Sequence, residues 1–144
     1  MKEADIVIHS VIENADGTGE VERSETRAAG SIILTEHGAR LAWREVSEGG
    51  ETESELTVSG DTVSVVRRGA IESSFTFEEG KGSESLYKIG PYAFDARVKA
   101  RRVRVAVSDG GISVTVVYDM ELGGAERLVK MKIRADVREE DADA

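Results

Sequence analysis

In the stretch GISVTVVYDMEL, residues 111–122, every second side chain from Ile112 onward is apolar, and Ser113, Thr115 and Asp119 lie between them. This is the period of a β-strand that buries one face, because successive side chains of a strand point to opposite sides. Its apolar row comprises Ile112, Val114, Val116, Tyr118, Met120 and Leu122. Beyond two glycines the alternation resumes at Met131, Ile133, Ala135 and Val137. The stretch therefore predicts two strands joined by a glycine turn.

The same alternation extends towards the N-terminus in shorter rows. These rows are Ile6, Ile8 and Ile12, then Leu41 and Trp43, Leu56 and Val58, Val63 and Val65, and Phe75 and Phe77. Glycine-containing segments such as SGD and EEGKG separate them, and strands joined by such short turns are antiparallel neighbours. No segment keeps helical spacing over a useful length. The sequence thus predicts an all-β chain, an antiparallel meander of about eight to ten strands.

A meander with one apolar face can stack as two sheets or close into a barrel. Closure leaves no exposed strand edges, so we expect the barrel. It should form a single domain over residues 1–138, followed by a disordered acidic tail at residues 139–144.

Two segments interrupt the alternation. The apolar row from Phe94 to Ala100 jumps to Val103, which a one-residue bulge or a corner would explain. Residues 19–35 are polar and weakly patterned, and they could form a long exposed strand or be partly helical.

The composition restricts the classes of function. The chain has a formal net charge of −9 and no cysteine. The absence of cysteine excludes disulfides, thiolate metal sites and a cysteine nucleophile. The acidic balance argues against nucleic acid and anionic membranes as partners. No signal peptide or membrane-length apolar run is visible, so we expect a cytoplasmic protein.

Four segments, taken in chain order, resemble the YwiB-like family of uncharacterised bacterial proteins. They are AWREV (42–46), VSVVRRG (63–69), SFTFEEGKGSESLYKIGPY (74–92) and GISVTVVYDMEL (111–122). The resemblance implies a calycin-type, lipocalin-like β-barrel and brings no established activity.

The family pattern has an aromatic residue two before a glutamate, matched by Trp43 and Glu45. It also has an arginine two before a glycine, matched by Arg67 and Gly69, and a late tyrosine, matched by Tyr118. The chain departs from the pattern at Ile89 and Ala93, where threonine and glycine are more usual.

Arg67 continues the row of Val63 and Val65, so period two directs it into the barrel near one end. By the same reasoning Trp43 directs Glu45 inward. Because unpaired charges held out of water are costly, we expect Glu45 and Arg67 to form an ion pair, with the Tyr118 hydroxyl nearby. In the alternative phase Val66 is inward, Arg68 is buried and Arg67 is solvated.

Two functions suit such a polar cluster. The barrel could bind a small acidic or amphipathic ligand, with an arginine holding the acidic group. The ligand-binding residues would be Arg67, Glu45, Tyr118, Trp43 and Tyr87. Alternatively the Glu45–Arg67 pair only plugs a filled barrel, and the protein acts by strand addition or as a symmetric dimer. A third hypothesis, an enzyme using Glu45 and Tyr118 as acid and base, has only their polarity in its favour.

Other motifs indicate no chemistry. His9 and His37 lack companions at metal-ligand spacing, and no GxSxG elbow appears. The basic block KARRVRV lacks interleaved aromatic residues, so we expect outward charges that pair with acidic neighbouring strands. We therefore expect a protein without enzymatic activity, metal or cofactor, while both a monomer and a homodimer stay open.

Overall fold

The computed structural model describes residues 1–138, which form ten β-strands. The strands are β1 (Lys2–Asn14), β2 (Glu22–Thr35), β3 (Gly38–Ser47), β4 (Gly50–Ser59), β5 (Thr62–Gly69), β6 (Ile71–Phe77), β7 (Gly82–Ile89), β8 (Tyr92–Ser108), β9 (Gly111–Leu122) and β10 (Ala125–Val137). Each strand pairs antiparallel with its neighbours in the chain, and β1 pairs with β10. The predicted closed antiparallel meander is therefore confirmed, whereas the calycin-type relationship stays a prediction.

The predicted apolar rows form the core inside the barrel. Leu56 and Val63 are completely buried, and Val58 lies opposite Val63 across β4 and β5. On the other side of the barrel Val114 and Val116 are also completely buried. Burying one such side chain stabilises the fold by roughly 1.5–3 kcal/mol, so these rows hold the barrel closed.

The predicted bulge lies in β8, where the pairing with β9 shifts between Ala100 and Arg102. The extra residue, Arg101, lets both halves of the strand keep their apolar side chains inward. Ala100 and Val103, on either side of the bulge, are both buried. Without the shift, every residue beyond it would change face.

The polar, weakly patterned segment at residues 19–35 contains β2, so the partly helical alternative is wrong. β2 pairs with β1 from Glu22 to Ile32, but it pairs with β3 only from Gly30 onward. The first part of β2 thus has a neighbour on one side only, and most of its side chains are exposed. This explains why the segment is polar and weakly patterned.

Gly69 ends the strand that carries Arg67. Its φ is 128°, a conformation that side-chain-bearing residues rarely adopt. A Cβ at this position would lie 2.2 Å from the carbonyl oxygen of Glu51 on β4. The close approach of the two backbones requires glycine and fixes where β5 stops.

The predicted acidic tail, residues 139–144, falls outside the described residues and stays a prediction. Among residues 1–138 there is no helix of the length and apolar character needed to cross a membrane.

Candidate functional site

A cavity of about 160 Å³ lies inside the barrel, towards the end at which β5 stops. Apolar side chains form most of its wall, and the strands that supply them are β1, β5, β6, β9 and β10. Its polar groups are Ser10, Arg67, Ser73, Tyr87 and Tyr118. The cavity thus combines aliphatic and aromatic walls with a few convergent polar groups, which is the usual composition of a small-molecule site.

Arg67 reaches this cavity because of its position on β5. Val63 and Val65 are buried on the inner face, and Arg67 is the next inward residue, only partly buried. Arg68 points outward and is exposed. The prediction of an inward Arg67 is therefore confirmed, and the alternative with a buried Arg68 is wrong.

The predicted ion pair between Glu45 and Arg67 is not formed. Within residues 1–138 no carboxylate oxygen lies within 4.0 Å of the Arg67 guanidinium. Glu45 instead accepts a hydrogen bond from Trp43 Nε1, at 2.7 Å through Oε1. Neither Trp43 nor Glu45 lines the cavity. The predicted cluster of Glu45, Arg67 and Tyr118 is corrected accordingly.

Strand register explains why Glu45 and Arg67 do not meet. Glu45 is aligned with Thr52 and through it with Gly69, whereas Arg67 is aligned with Ser54. Glu45 therefore lies two residues, about 7 Å, further along the strands, and two strands, about 10 Å, across the sheet. Period two correctly gave the inner face for both residues, but their heights in the barrel differ.

Tyr118 and Tyr87 line the cavity together with Arg67. Burial raises the pKa of Tyr118 to about 12, although the positive charge of Arg67 acts in the opposite direction. The Tyr118 ring packs against Phe77, with the ring centroids 4.7 Å apart. At neutral pH the phenol is therefore protonated and can donate a hydrogen bond.

Two serines complete the polar groups and were not among the predicted site residues. Ser73 lies directly opposite Arg67 across β5 and β6 and is buried. Ser10 lies on the inner face of β1, in the row of Ile8 and Ile12. The signal for both was available, because each occupies an inward position of an apolar row that had been identified.

Ser54 lies opposite Arg67 on its other side, across β4 and β5. Its hydroxyl is buried and has no hydrogen-bond partner within the described part of the chain. A buried hydroxyl without a partner costs free energy, so the Ser54 hydroxyl does not stabilise the barrel.

Where the backbones of β6 and β7 do not pair, side-chain hydrogen bonds connect the two strands in the cavity wall. The two strands pair only at Ile71–Ile89 and Glu72–Lys88. Further along, the Ser85 hydroxyl accepts a hydrogen bond from the Ser74 amide at 3.0 Å. The Ser83 hydroxyl does the same for the Thr76 amide at 3.2 Å. Consequently β7, which carries Tyr87, is fixed mainly through its continuous pairing with β8.

Two residues of the basic block on β8, Arg101 and Arg104, pair with acidic neighbours as predicted. Arg101 forms two hydrogen bonds of 2.8 Å with the Asp119 carboxylate, and Arg104 lies 3.2 Å from Glu79. These are outward charges paired with acidic neighbours. Elsewhere in residues 1–138, no cluster of three or more histidine, aspartate or glutamate side chains could hold a metal ion.

Comparisons with known proteins agree with this architecture. A family model described as "Domain of unknown function (DUF1934)" matches residues 6–134. The uncharacterized beta-barrel protein YwiB of Bacillus subtilis (strain 168) is 26% identical over 124 residues, which is 85% of each chain. The crystal structure of the ywiB protein from Bacillus subtilis superposes with a TM-score of 0.84 at 22% identity, covering 96% of this chain and 93% of that one. The structural likeness supports the barrel fold. Because the family model spans most of the sequence, the chain belongs to the DUF1934 family, and the predicted resemblance to YwiB-like proteins is confirmed.

Proposed function

We propose that this protein is a non-enzymatic binding barrel that takes a small anionic molecule into its cavity. The acidic group of the ligand contacts Arg67, and the Tyr87 and Tyr118 hydroxyls orient it. The aromatic and aliphatic wall surrounds the rest of the ligand.

The observation that carries the proposal is the guanidinium of Arg67, which lines the cavity without a carboxylate partner in the described chain. A partly buried guanidinium is expensive to keep without a counter-charge. Its planar array of donors matches the geometry of a carboxylate or phosphate. An anionic ligand would supply the missing charge, and Ser73 offers a further hydroxyl directly beside it.

The ionisable groups of the cavity support binding rather than catalysis. They are Arg67, Tyr87 and Tyr118. General acid–base catalysis is most efficient when a group has a pKa near the working pH. The pKa of Tyr118 is raised to about 12, and the Arg67 guanidinium stays protonated. Tyr118 and Arg67 therefore do not serve as bases at neutral pH. Glu45, the predicted partner in an acid–base pair, lies outside the cavity.

A calorimetric titration tests this proposal. The probes are butanoate and inorganic phosphate, with butanamide as an uncharged analogue of the same shape. We expect at least one anion to bind, butanamide to bind far more weakly, and Arg67→Gln to reduce the anion affinity by about 10- to 100-fold, the range for hydrogen bonds to a charged group. Arg68→Gln is the matched control, because it removes the same charge from an outward position. Equal binding of butanoate and butanamide, or anion affinity that Arg67→Gln leaves unchanged, would overturn the proposal.

A second function, protein interaction by strand addition, is favoured by the last part of β8. β8 pairs with β9 along one edge and with β7 along the other, but the pairing with β7 reaches only as far as Lys99. At Val103–Val107 the edge of β8 away from β9 therefore pairs with no strand within residues 1–138. The Val103 amide donates a hydrogen bond to Glu79 Oε1 at 2.9 Å, away from β9. By the alternation of a strand, the Val105 and Val107 amides face the same way.

This edge suits a second copy of the same chain. In an antiparallel pairing centred on Val105, Arg104 faces Ala106 of the second copy and Arg102 faces Ser108. No like charges are then directly opposed, which favours a symmetric pairing. Light scattering at increasing concentration tests it: we expect a dimer that Val105→Pro abolishes and Val105→Thr preserves, since proline removes only an edge amide. A strict monomer at all concentrations would refute it.

A further inference from the structure

The hairpin of β7 and β8 continues the inner surface of the cavity beyond the end of β9, because Leu122 pairs with Ala96 and no β9 residue pairs with Phe94 or Tyr92. Ala96 and Val98 are buried on the inner face of β8. Period two places Phe94 and Tyr92 on the same face. On β7, Tyr87 lines the cavity and Ile89 follows it on that face. We call Ile89, Tyr92 and Phe94 the apolar lip.

Strand register connects the lip directly to the cavity. Tyr87 lies opposite Phe94, and the next inward pair outwards is Ile89 opposite Tyr92. Each step of two residues advances about 7 Å along the hairpin. The lip therefore begins beside Tyr87, at the cavity wall, and leads away from it.

The lip is apolar and accessible. Ile89 is 44% exposed, Tyr92 65% and Phe94 38%. The Tyr92 and Phe94 rings lie side by side, with centroids 6.5 Å apart and planes inclined by 24°. The edge of the Phe94 ring lies beside Gly123, in the turn between β9 and β10. Single exposed apolar residues are common on soluble proteins, whereas a contiguous group next to a cavity indicates a binding surface.

The size of the cavity limits what it can enclose. The cavity has a volume of about 160 Å³. Sites that enclose a whole ligand usually measure about 300–1,000 Å³. The cavity therefore accommodates a head group and a few carbon atoms, and a longer ligand has to leave along its wall.

We propose that the ligand is an amphipathic anion whose acidic group lies at Arg67 and whose unbranched aliphatic tail lies on the apolar lip. This inference rests on the proposed function and adds the class of ligand. Continuity of the lip with the cavity, together with the unpaired guanidinium at its inner end, selects such a molecule over a peptide or a second copy of the chain.

A series of straight-chain carboxylates from butanoate to decanoate tests the inference by calorimetry. Affinity should rise by about two- to fourfold per added methylene once the tail reaches the lip, because burying a methylene gives at most about fourfold. In Tyr92→Ser/Phe94→Ser this dependence on length should flatten, while butanoate binds as before. Leu86→Ser, which changes an apolar residue 48% exposed on the outer face of β7, is the matched control and should keep the full dependence.

The possible results of this experiment test the lip and the proposed function independently. If all carboxylates bind with equal affinity and still require Arg67, the lip is refuted and the proposed function stands. A length dependence that survives in Tyr92→Ser/Phe94→Ser also refutes the lip. If neither a carboxylate nor inorganic phosphate binds, both proposals fail. If only phosphate binds and requires Arg67, the lip is refuted and the proposed function stands. The altered side chains are exposed. Circular dichroism should give the same β-barrel spectrum for each variant as for the wild type, and this is checked before the titrations.

Discussion

Replacing Arg67 with methionine should make the unliganded protein more stable. The guanidinium is partly buried and has no carboxylate within 4.0 Å in residues 1–138. Replacing a buried ion pair with apolar residues often stabilises a protein by about 1–4 kcal/mol. Arg67 is a single charge and is partly exposed, which favours the lower part of that range. We expect a gain of about 1–2 kcal/mol in the free energy of unfolding. For a chain of this length, each kcal/mol raises the melting temperature by roughly 2–4 °C.

Urea unfolding at neutral pH, followed by fluorescence and circular dichroism, measures the change. Arg68→Met is the matched control, because it removes the same charge from the same strand at an exposed position. It alters the net charge equally, and we expect it to change stability by less than about 0.5 kcal/mol. The difference between the two variants therefore isolates the cost of holding a guanidinium in the cavity.

A loss of more than about 1 kcal/mol in Arg67→Met, relative to the control, would refute this reasoning. It would mean that Arg67 has a stabilising partner inside the barrel, as the predicted plug required. An independent check is the titration of Tyr118. Because the charge of Arg67 lowers the pKa of this phenol, its removal should move the ionisation of Tyr118 to higher pH.

Three further predictions concern stability. Ser54→Ala removes a buried hydroxyl without a partner, so it should leave the free energy of unfolding unchanged or raise it by up to about 1 kcal/mol in urea titrations; a loss above that value would contradict it. The folded-state pKa of Tyr118, about 12 against 10.0 as the ordinary value, means that its stabilising contribution is complete below pH 10 and is lost as the pH rises through 12. Unfolding at pH 8 and pH 11 should thus show the wild type losing about 1 kcal/mol more than Tyr118→Phe, and equal losses would be the contrary result. Leu56→Ala, in the fully buried row, should cost about 2–5 kcal/mol by thermal unfolding, whereas a cost below about 1 kcal/mol would show a loosely packed core.

Much of the fold could be predicted because period two is a strong local signal. The rows around Leu56, Val63 and Val114 gave the inner faces, and the jump from Ala100 to Val103 gave the bulge. The polar part of β2 could not be assigned, because a strand with one neighbour and solvent on most sides has little need of an apolar row.

The candidate site was predictable in part. Alternation gave the inward direction of Arg67, Tyr118 and Trp43, all of which are on the inner face. It could not give their heights, because these depend on the register that every intervening turn sets. The Glu45–Arg67 pair was therefore wrong although both faces were right. The lip could not be predicted either, since the alternation does not show where a hairpin extends beyond its neighbours.

A crystal structure with 6-bromohexanoate would show whether the barrel holds an amphipathic anion at Arg67, because anomalous scattering locates the bromine independently of the rest of the ligand. We expect the carboxylate within hydrogen-bonding distance of Arg67 and the bromine beside Ile89 and Tyr92. An empty cavity at saturating ligand, or bromine bound only on the outer surface of the barrel, would contradict this expectation.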